Sequence, residues 1–287
     1  MCSVSLNYQV IQIVRLTTIQ LTDMNMTSKI WTVTLLFVGV LLLGACVIVP
    51  AEKRGKKVSR TVKVKEFHDV VLNGMADVIF VQGDSFSVRV EGREKDIECL
   101  KVESEAQTLC ISHEMNKANE QGEVIFMSDG AAMVENITVY VTAPDLKHVM
   151  VTGTGDFKCE GNLAVDLLEL KVSGTGDVDF KRIQAKELTM EITGTGDVEI
   201  DHAVAEQVSA VVNGAGDLKL NGQDVGKTLL TVNGSGDAKV DFTHCGKAVV
   251  DVSGSGDVHL SGTLQELQKS VTGSADLEMS RLILEKQ

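Results

Sequence analysis

Seven aspartates recur through the second half of the chain, and each closes a Gly-x-Gly-Asp motif or a degraded copy of it. They follow one another at a step of about 20 residues: Asp156, Asp177, Asp197, Asp217, Asp237, Asp257 and Asp276. Such a carboxylate can cap backbone N–H groups, bind calcium, or serve as an acid or base in catalysis. Identical copies do not supply the two different environments that an acid–base pair needs, so catalysis is the least favoured role.

Stacked copies of the motif would bring neighbouring carboxylates to about 4.8 Å from one another. At the dielectric constant of water each such pair repels by roughly 1 kcal/mol, and something must offset that repulsion. We favour hydrogen bonds from backbone N–H groups of the same turn. A weak calcium ladder along the column is the alternative, and no other cofactor or metal is predicted.

The elements that carry these motifs are strands. Apolar residues alternate before the motif at Leu168, Leu170 and Val172, and alternation resumes after it at Val178 and Phe180. Period two indicates strands with one buried face, and glycine in the turn between them tolerates a positive φ. A fixed period of about 20 residues is typical of a solenoid. The sequence therefore predicts an all-β fold, a parallel β-helix with coils of about 20 residues joined by looser returns such as 181–186.

Two degraded copies mark the ends of the repeat array. Gly74-Met75-Ala76-Asp77 and Gly273-Ser274-Ala275-Asp276 both have alanine for the second glycine. Terminal repeats are expected to be atypical because they cap the stack. The upstream copy precedes Gly153 by 79 residues, close to four steps. We therefore predict one structural unit, with an irregular N-terminal β portion over 61–147 and regular coils over 148–287.

The N-terminal region resembles a bacterial lipoprotein signal. Lys29 precedes an apolar run over 30–49, and Leu43-Gly44-Ala45-Cys46 lies near the end of that run. This pattern predicts cleavage before Cys46 and attachment of lipid to that cysteine. An uncleaved transmembrane helix, or a plain signal peptide with a chance cysteine, is the alternative.

Conventional start positions divide the N-terminal region further. Because Met24 or Met26 would begin an ordinary signal, residues 1–23 are interpreted as a mis-assigned upstream extension. Residues 24–45 are the predicted signal peptide, and 46–60 a basic tether. The expected location is the bacterial cell envelope, with the lipid anchor in the outer membrane.

Net charge limits the classes of partner. The full chain has a net charge of −13. Removing 1–45 takes away Arg15, Lys29 and Asp23, which leaves a net charge of −14. Such a surface disfavours nucleic acid and anionic lipid head groups as partners.

Histidines and cysteines give no clear site in the sequence. The six histidines share no metal-ligand spacing and are predicted to be surface or strand residues: His68, His113, His148, His202, His244 and His259. Cys99 and Cys110 flank a predicted hairpin, where a disulfide is one option in an oxidising compartment. Cys159 follows the inward register of the strand and is predicted to lie in the core.

A small polar residue precedes the first glycine of each of the seven motifs and a small residue follows it, for example Thr193 and Thr195. Together with the aspartates they would form a polar edge along the stack. We expect ladder hydrogen bonds along this edge, and a repetitive surface for glycans or a protein partner is the functional alternative.

Three specific segments follow the lipoprotein signal in order: Val90-Glu91-Gly92, the segment Thr142–Leu146 and the first Gly-Thr-Gly-Asp. With these segments, the stretch over roughly 62–279 resembles one bacterial family, the putative auto-transporter adhesin, head GIN domain. The resemblance implies a right-handed β-helix, a secreted or lipid-anchored envelope protein and a binding role. It carries no catalytic residues to this chain.

Two functions follow from these patterns. The first is a non-catalytic, lipid-anchored module of the envelope that binds a glycan or an envelope or host protein. The alternative is a polysaccharide lyase or hydrolase, since long β-helices can host such enzymes. Its acids and bases would have to converge where the repeat is irregular, at 93–130. With 2 tyrosines and 1 tryptophan the chain has little aromatic surface for stacking on sugars, which counts against that alternative.

Overall fold

The computed structural model describes residues 55–113 and 137–285. The predicted upstream extension, the signal peptide, Cys46 and residues 46–54 of the tether lie outside the described residues. The structure is 67% strand and 2% helix, which confirms the all-β prediction.

Within the described residues, seventeen strands form one continuous sheet. The strands of the N-terminal part are β1 (Lys57–Val62), β2 (Asp69–Asn73), β3 (Asp77–Gln82), β4 (Ser87–Arg93), β5 (Leu100–Glu105), β6 (Thr108–His113), β7 (Thr138–Ala143) and β8 (His148–Val151). A short helix, α1 (Glu94–Glu98), lies between β4 and β5. The remaining strands are β9 (Phe157–Ala164), β10 (Leu167–Val172), β11 (Val178–Ile192), β12 (Val198–Val212), β13 (Leu218–Gln223), β14 (Lys227–Val232), β15 (Ala238–Val252), β16 (Val258–Val271) and β17 (Leu277–Leu284).

The coils stack in parallel from β8 to β17. Residues one repeat apart are paired, as in Val178 with Val198, Val198 with Leu218, and Leu218 with Ala238. Because this register keeps the buried face of each strand in line with its neighbours, the interior is continuous. The predicted β-solenoid, with coils of about 20 residues, is confirmed and has about 7 turns.

Each regular coil has three faces and three corners. Burial alternates along β11 but breaks twice, at Lys181–Arg182 and at Lys186–Glu187, where two successive residues are exposed. The looser return predicted over 181–186 is therefore wrong, because Ile183 and Ala185 are buried and belong to a further face. We call the Gly-x-Gly-Asp turn the first corner, and the positions equivalent to 181–182 and 186–187 the second and third corners.

The core is apolar, as the alternation predicted. Phe80, Phe157 and Phe180 come from three successive coils, and their ring centroids lie 6.1 and 5.7 Å apart. Cys159 is buried as predicted. Burial raises the pKa of its thiol to about 11, since a buried thiolate would lose its hydration.

The upstream Gly74 copy stacks directly on the Gly153 coil. Strand β2 pairs in parallel with β8, and β3 with β9. The interval of 79 residues is therefore a single step of the stack, and the interpretation as four steps is wrong. Strands β6 and β7 lie on the other side of β2 and β3, so this earlier coil sits between two later ones.

Antiparallel strands close the N-terminal end of the stack. Strand β5 pairs with β6, and β4 pairs with both β7 and β1. Strand β1 begins at Lys57, within the predicted tether, so the last part of that segment is sheet.

The predicted hairpin around Cys99 and Cys110 is present as β5 and β6, but its register does not favour a disulfide. Cys110 lies opposite Glu103, and Cys99 immediately precedes Leu100. The two cysteines are thus about four residues apart along the ladder, or roughly 13 Å. A disulfide requires a Cα separation below about 7 Å.

Candidate binding surfaces

Glycine is required at the first corner because successive coils approach closely there. A Cβ atom on Gly194 would lie 2.1 Å from the carbonyl oxygen of Gly174, and one on Gly214 would lie 2.1 Å from that of Gly194. Neither Gly194 nor Gly214 has a positive φ. Among the described glycines, a positive φ occurs at Gly55, Gly262 and Gly273. The reason predicted for these glycines, a left-handed turn, therefore does not hold, and close packing replaces it.

The aspartates of the motif form a continuous column of hydrogen bonds. In each case the backbone N–H of one aspartate donates to Oδ1 of the aspartate in the preceding coil. The N–O distances are 3.2 Å for Asp156 to Asp77, 3.1 Å for Asp177 to Asp156, 2.9 Å for Asp197 to Asp177, 2.7 Å for Asp217 to Asp197, 2.8 Å for Asp237 to Asp217, 2.7 Å for Asp257 to Asp237 and 3.1 Å for Asp276 to Asp257.

This column modifies the prediction for the carboxylates. They accept backbone N–H groups as expected, but each donor belongs to the next coil and not to the same turn. The bonds therefore join coils to one another, and each carboxylate that accepts one is partly compensated by the dipole of that N–H group.

Other polar side chains of the first corner also bond along the stack. Asn233 donates to Oδ1 of Asn213 at 2.9 Å, and Ser253 donates to Oδ1 of Asn233 at 2.7 Å. Thr193 and Thr272 each lie 3.4 Å from a carbonyl oxygen of the preceding coil. These contacts match the predicted ladder. Many polar groups of this edge therefore form hydrogen bonds between coils and are less available to a ligand.

The third corner is different, because it carries an open groove. The groove has a volume of about 1150 Å³ and runs past several successive coils. Small residues recur in its wall, at Ala164, Ala185, Ala205 and Gly226. Ala185 and Ala205 are buried, and the exposed part of the wall includes charged corner residues such as Asp166, Lys186 and Glu206.

Charged side chains of both signs line this groove. Lys186 Nζ lies 2.8 Å from Oδ1 of Asp166, and Lys147 Nζ lies 3.7 Å from Oδ2 of Asp145. The pKa of Asp166 is lowered by its hydrogen bond to Lys186, and the pKa of Lys186 is raised by the same contact. Such exposed pairs contribute little to folding stability. A charged ligand can therefore replace one partner of the pair at a small cost in free energy.

A cluster of two histidines and a carboxylate lies near the N-terminal end of the stack. Oδ1 of Asp69 is 2.7 Å from Nδ1 of His68 and 2.6 Å from Nδ1 of His148. Burial alone would raise the pKa of Asp69, but the hydrogen bonds and charges of His148 and His68 outweigh it and lower that pKa.

Spacing along the sequence did not reveal this cluster. Asp69 opens β2 and His148 opens β8, and the parallel register pairs the two residues directly. Asp69 and His148 are separated by the same 79 residues as Gly74 and Gly153. That shared interval is the signal in the sequence from which the cluster could have been found.

The segment over 93–130, named as the place for an enzyme site, is described only in part. Residues 93–113 contain α1 and the hairpin of β5 and β6. Residues 114–130 lie outside the described part of the chain.

The coils, the column and the groove define the chain as a parallel β-solenoid protein. The chain belongs to the family described as putative auto-transporter adhesin, head GIN domain, whose sequence model matches residues 66–245 and 227–287. The resemblance seen in the sequence is thereby confirmed. No curated protein matches the chain.

Solved structures share the fold. A putative adhesin from Bacteroides fragilis superposes with a TM-score of 0.68 at 20% identity, covering 78% of this chain and 97% of the other. A putative adhesin from Parabacteroides distasonis gives 0.60 at 20% identity, with the same coverage. A putative lipid binding protein from Parabacteroides distasonis gives 0.55, also at 20% identity and with that coverage.

Among residues 55–113 and 137–285, no helix is long and apolar enough to cross a membrane.

Proposed function

We propose that this protein is a lipid-anchored, non-catalytic binding module of the bacterial cell envelope, with an adhesive role, and that its ligand lies along the third-corner groove. The observation that carries the proposal is the contrast between the corners. The first corner uses its polar groups to join coils, whereas the third corner leaves an open groove with exposed charges. Membership of an adhesin family supports the binding role and the envelope location.

The course of the groove along the stack indicates the shape of its ligand. Its lining residues come from successive coils, which rise by about 4.8 Å each. A ligand that extends along the stack, such as a glycan or an extended polypeptide, would contact the corner residues of several coils in succession. The strongly acidic chain disfavours nucleic acid as that ligand.

The anchor completes the proposal. Lipid attached to Cys46 would hold the solenoid at the membrane, with the outer membrane as the expected site. Replacing Cys46 by serine should release the protein from the membrane fraction, and protease treatment of intact cells would show whether the groove faces the outside. Retention of the Cys46→Ser variant in the membrane would contradict the anchor without affecting the assignment of the groove.

Ligand binding can be tested with matched charge variants. We would screen the purified protein against a glycan array and against envelope protein fractions, then repeat the positive reactions with Lys147→Glu/Lys186→Glu. The control, Lys181→Glu/Arg182→Glu, makes the same change of charge at the second corner. Loss of binding in the groove variant alone supports the proposal. Equal loss in both variants, or no ligand in either screen, contradicts it.

The enzyme alternative has a separate test. The purified protein incubated with acidic polysaccharides should leave them intact, as judged by the appearance of new reducing ends or unsaturated sugars. Release of either product would overturn the non-catalytic role.

A further inference from the structure

We propose that His68, Asp69 and His148 form a binding site for a divalent transition-metal ion such as Zn²⁺, in which the ion joins two coils at the N-terminal end of the stack. The ligand atoms of the three side chains all lie within 4.8 Å of one another. Two imidazoles and a carboxylate are a donor set that suits zinc and its neighbours in the transition series.

The hydrogen-bonding capacity of His68 supports a cation at this place. Its Nδ1 faces Oδ1 of Asp69 at 2.7 Å, and its Nε2 faces Oε1 of Gln107 at 2.6 Å. A neutral imidazole has one N–H group, so one ring nitrogen directs a lone pair at an oxygen unless the ring is protonated. A metal ion between Nδ1 and the carboxylate also satisfies this arrangement, because Nε2–H then donates to Oε1 of Gln107 while the lone pairs of Nδ1 and Oδ1 coordinate the ion.

His148 has the same arrangement in the adjacent coil. Its Nδ1 is 2.6 Å from Oδ1 of Asp69, while its Nε2 is 3.6 Å from Oε2 of Glu169. Histidine ligands of metals commonly direct their second ring nitrogen toward a carboxylate or a carbonyl oxygen, which fixes the ring. Gln107 and Glu169 occupy those outer positions for His68 and His148, respectively.

The backbone holds Asp69 and His148 in register. His68 directly precedes Asp69, and its carbonyl oxygen accepts the N–H of Lys147 at 2.7 Å. Asp69 pairs with His148 across β2 and β8, and Glu169 follows on β10, so the side chains form one row on the outside of the stack. Bonds of about 2.1 Å in a tetrahedral site place ligand atoms about 3.4 Å apart. The carboxylate must therefore move away from each Nδ1 by about 0.7 Å, which a small side-chain rotation provides.

Solvent can reach the cluster. The side chains of His68, Asp69 and His148 are 25%, 23% and 45% exposed. An ion can therefore enter without unfolding the coil, and water would complete its coordination.

Zinc titration of the purified full-length chain, first treated with a chelator, tests the site. We would use a Cys110→Ser background because Cys110 is an exposed thiol that could bind zinc by itself. Calorimetry should show one ion per chain. Melting temperature should rise by several degrees in zinc and return after EDTA, since the ion binds the folded state.

Three variants separate this site from adventitious binding. His148→Ala should weaken zinc affinity by at least about tenfold. Gln107→Asn, which shortens the outer partner at a residue with positive φ and leaves all three ligands in place, should weaken it by roughly tenfold. The control is His259→Ala, which removes a histidine that has a carboxylate partner, Glu278 at 2.8 Å, but no second histidine beside it in the described part of the chain.

The outcomes are distinct. Strong binding in the parent and in His259→Ala, with loss in His148→Ala, supports the proposal. No zinc binding by the parent, or equal binding by the parent and both His148→Ala and Gln107→Asn, overturns it. If His148→Ala does not fold by circular dichroism, Gln107→Asn decides the question. Visible absorption of bound Co²⁺ gives a second readout, because a four-coordinate protein site absorbs much more strongly than the octahedral aqueous ion.

Discussion

The first corner of each coil forms contacts between coils, whereas the third corner exposes its side chains to solvent. At the first corner, glycine backbones touch and each aspartate accepts an N–H group from the next coil. At the third corner, charged side chains are exposed around an open groove. Both corners recur at the same period, but only the first repeats its residue types closely. The difference teaches that strict repetition in this chain marks the contacts that build the stack, while variable positions leave surface for binding.

The largest expected effect is at the glycines of the first corner. Gly194→Ala should lower the free energy of unfolding by about 3 kcal/mol, because the new methyl group would collide with the backbone of the preceding coil. Urea denaturation followed by circular dichroism measures this loss. Gly161→Ala is the control, since a Cβ atom there meets nothing within 4 Å. Equal stability of Gly194→Ala and the parent would show that the coils can separate freely.

A smaller effect is expected in the aspartate column. Asp217→Ala should cost roughly 1 kcal/mol, because the N–H group of Asp237 loses its acceptor. Asp217→Asn should cost less, since the amide oxygen can still accept that bond and the column loses one like charge. Denaturation midpoints of the two variants, compared side by side, check this order. A larger loss in Asp217→Asn would show that the negative charge itself is needed.

The third corner should tolerate change. Lys186→Ala removes the exposed pair with Asp166 and should leave the denaturation midpoint unchanged within error. A loss comparable to that of Asp217→Ala would mean that both corners support the stack, and the comparison drawn above would be wrong.

We expect the smallest effect from calcium. Because backbone N–H groups already bind the carboxylates of the column, melting temperatures in EGTA and in added calcium should coincide. A rise of several degrees in calcium would favour the metal ladder along this edge. Measured beside the zinc titration, this experiment also separates the aspartate column from the histidine cluster.

Local pattern was sufficient for the coils and insufficient for contacts between distant segments. Alternation around Leu168 and Phe180 gave the buried faces, because the side-chain direction of a strand depends on neighbouring residues alone. The glycine at position 194 was also located correctly, but its reason lies in the backbone of another coil, which no local pattern shows.

The histidine cluster is a second contact between distant segments that a local sequence pattern does not reveal. Its residues meet only because β2 stacks on β8, and the intervening strands β4 to β7 conceal that relation in the sequence. The groove was missed for a related reason. Its walls combine corner residues of several coils, such as Asp145 and Asp224, that share no motif.

The position of the β2–β3 coil between β6–β7 and β8–β9 has a consequence for folding. Neither neighbour exists when that coil first emerges during synthesis or export, and its partner β9 begins at Phe157. Contacts between the later coils close loops of about 20 residues. The β2–β3 coil must close much longer loops to reach its neighbours, and closing a longer loop is slower. We therefore expect folding to nucleate in the C-terminal coils and to proceed backward along the chain. The N-terminal segment, although first made, would be the last to acquire its structure.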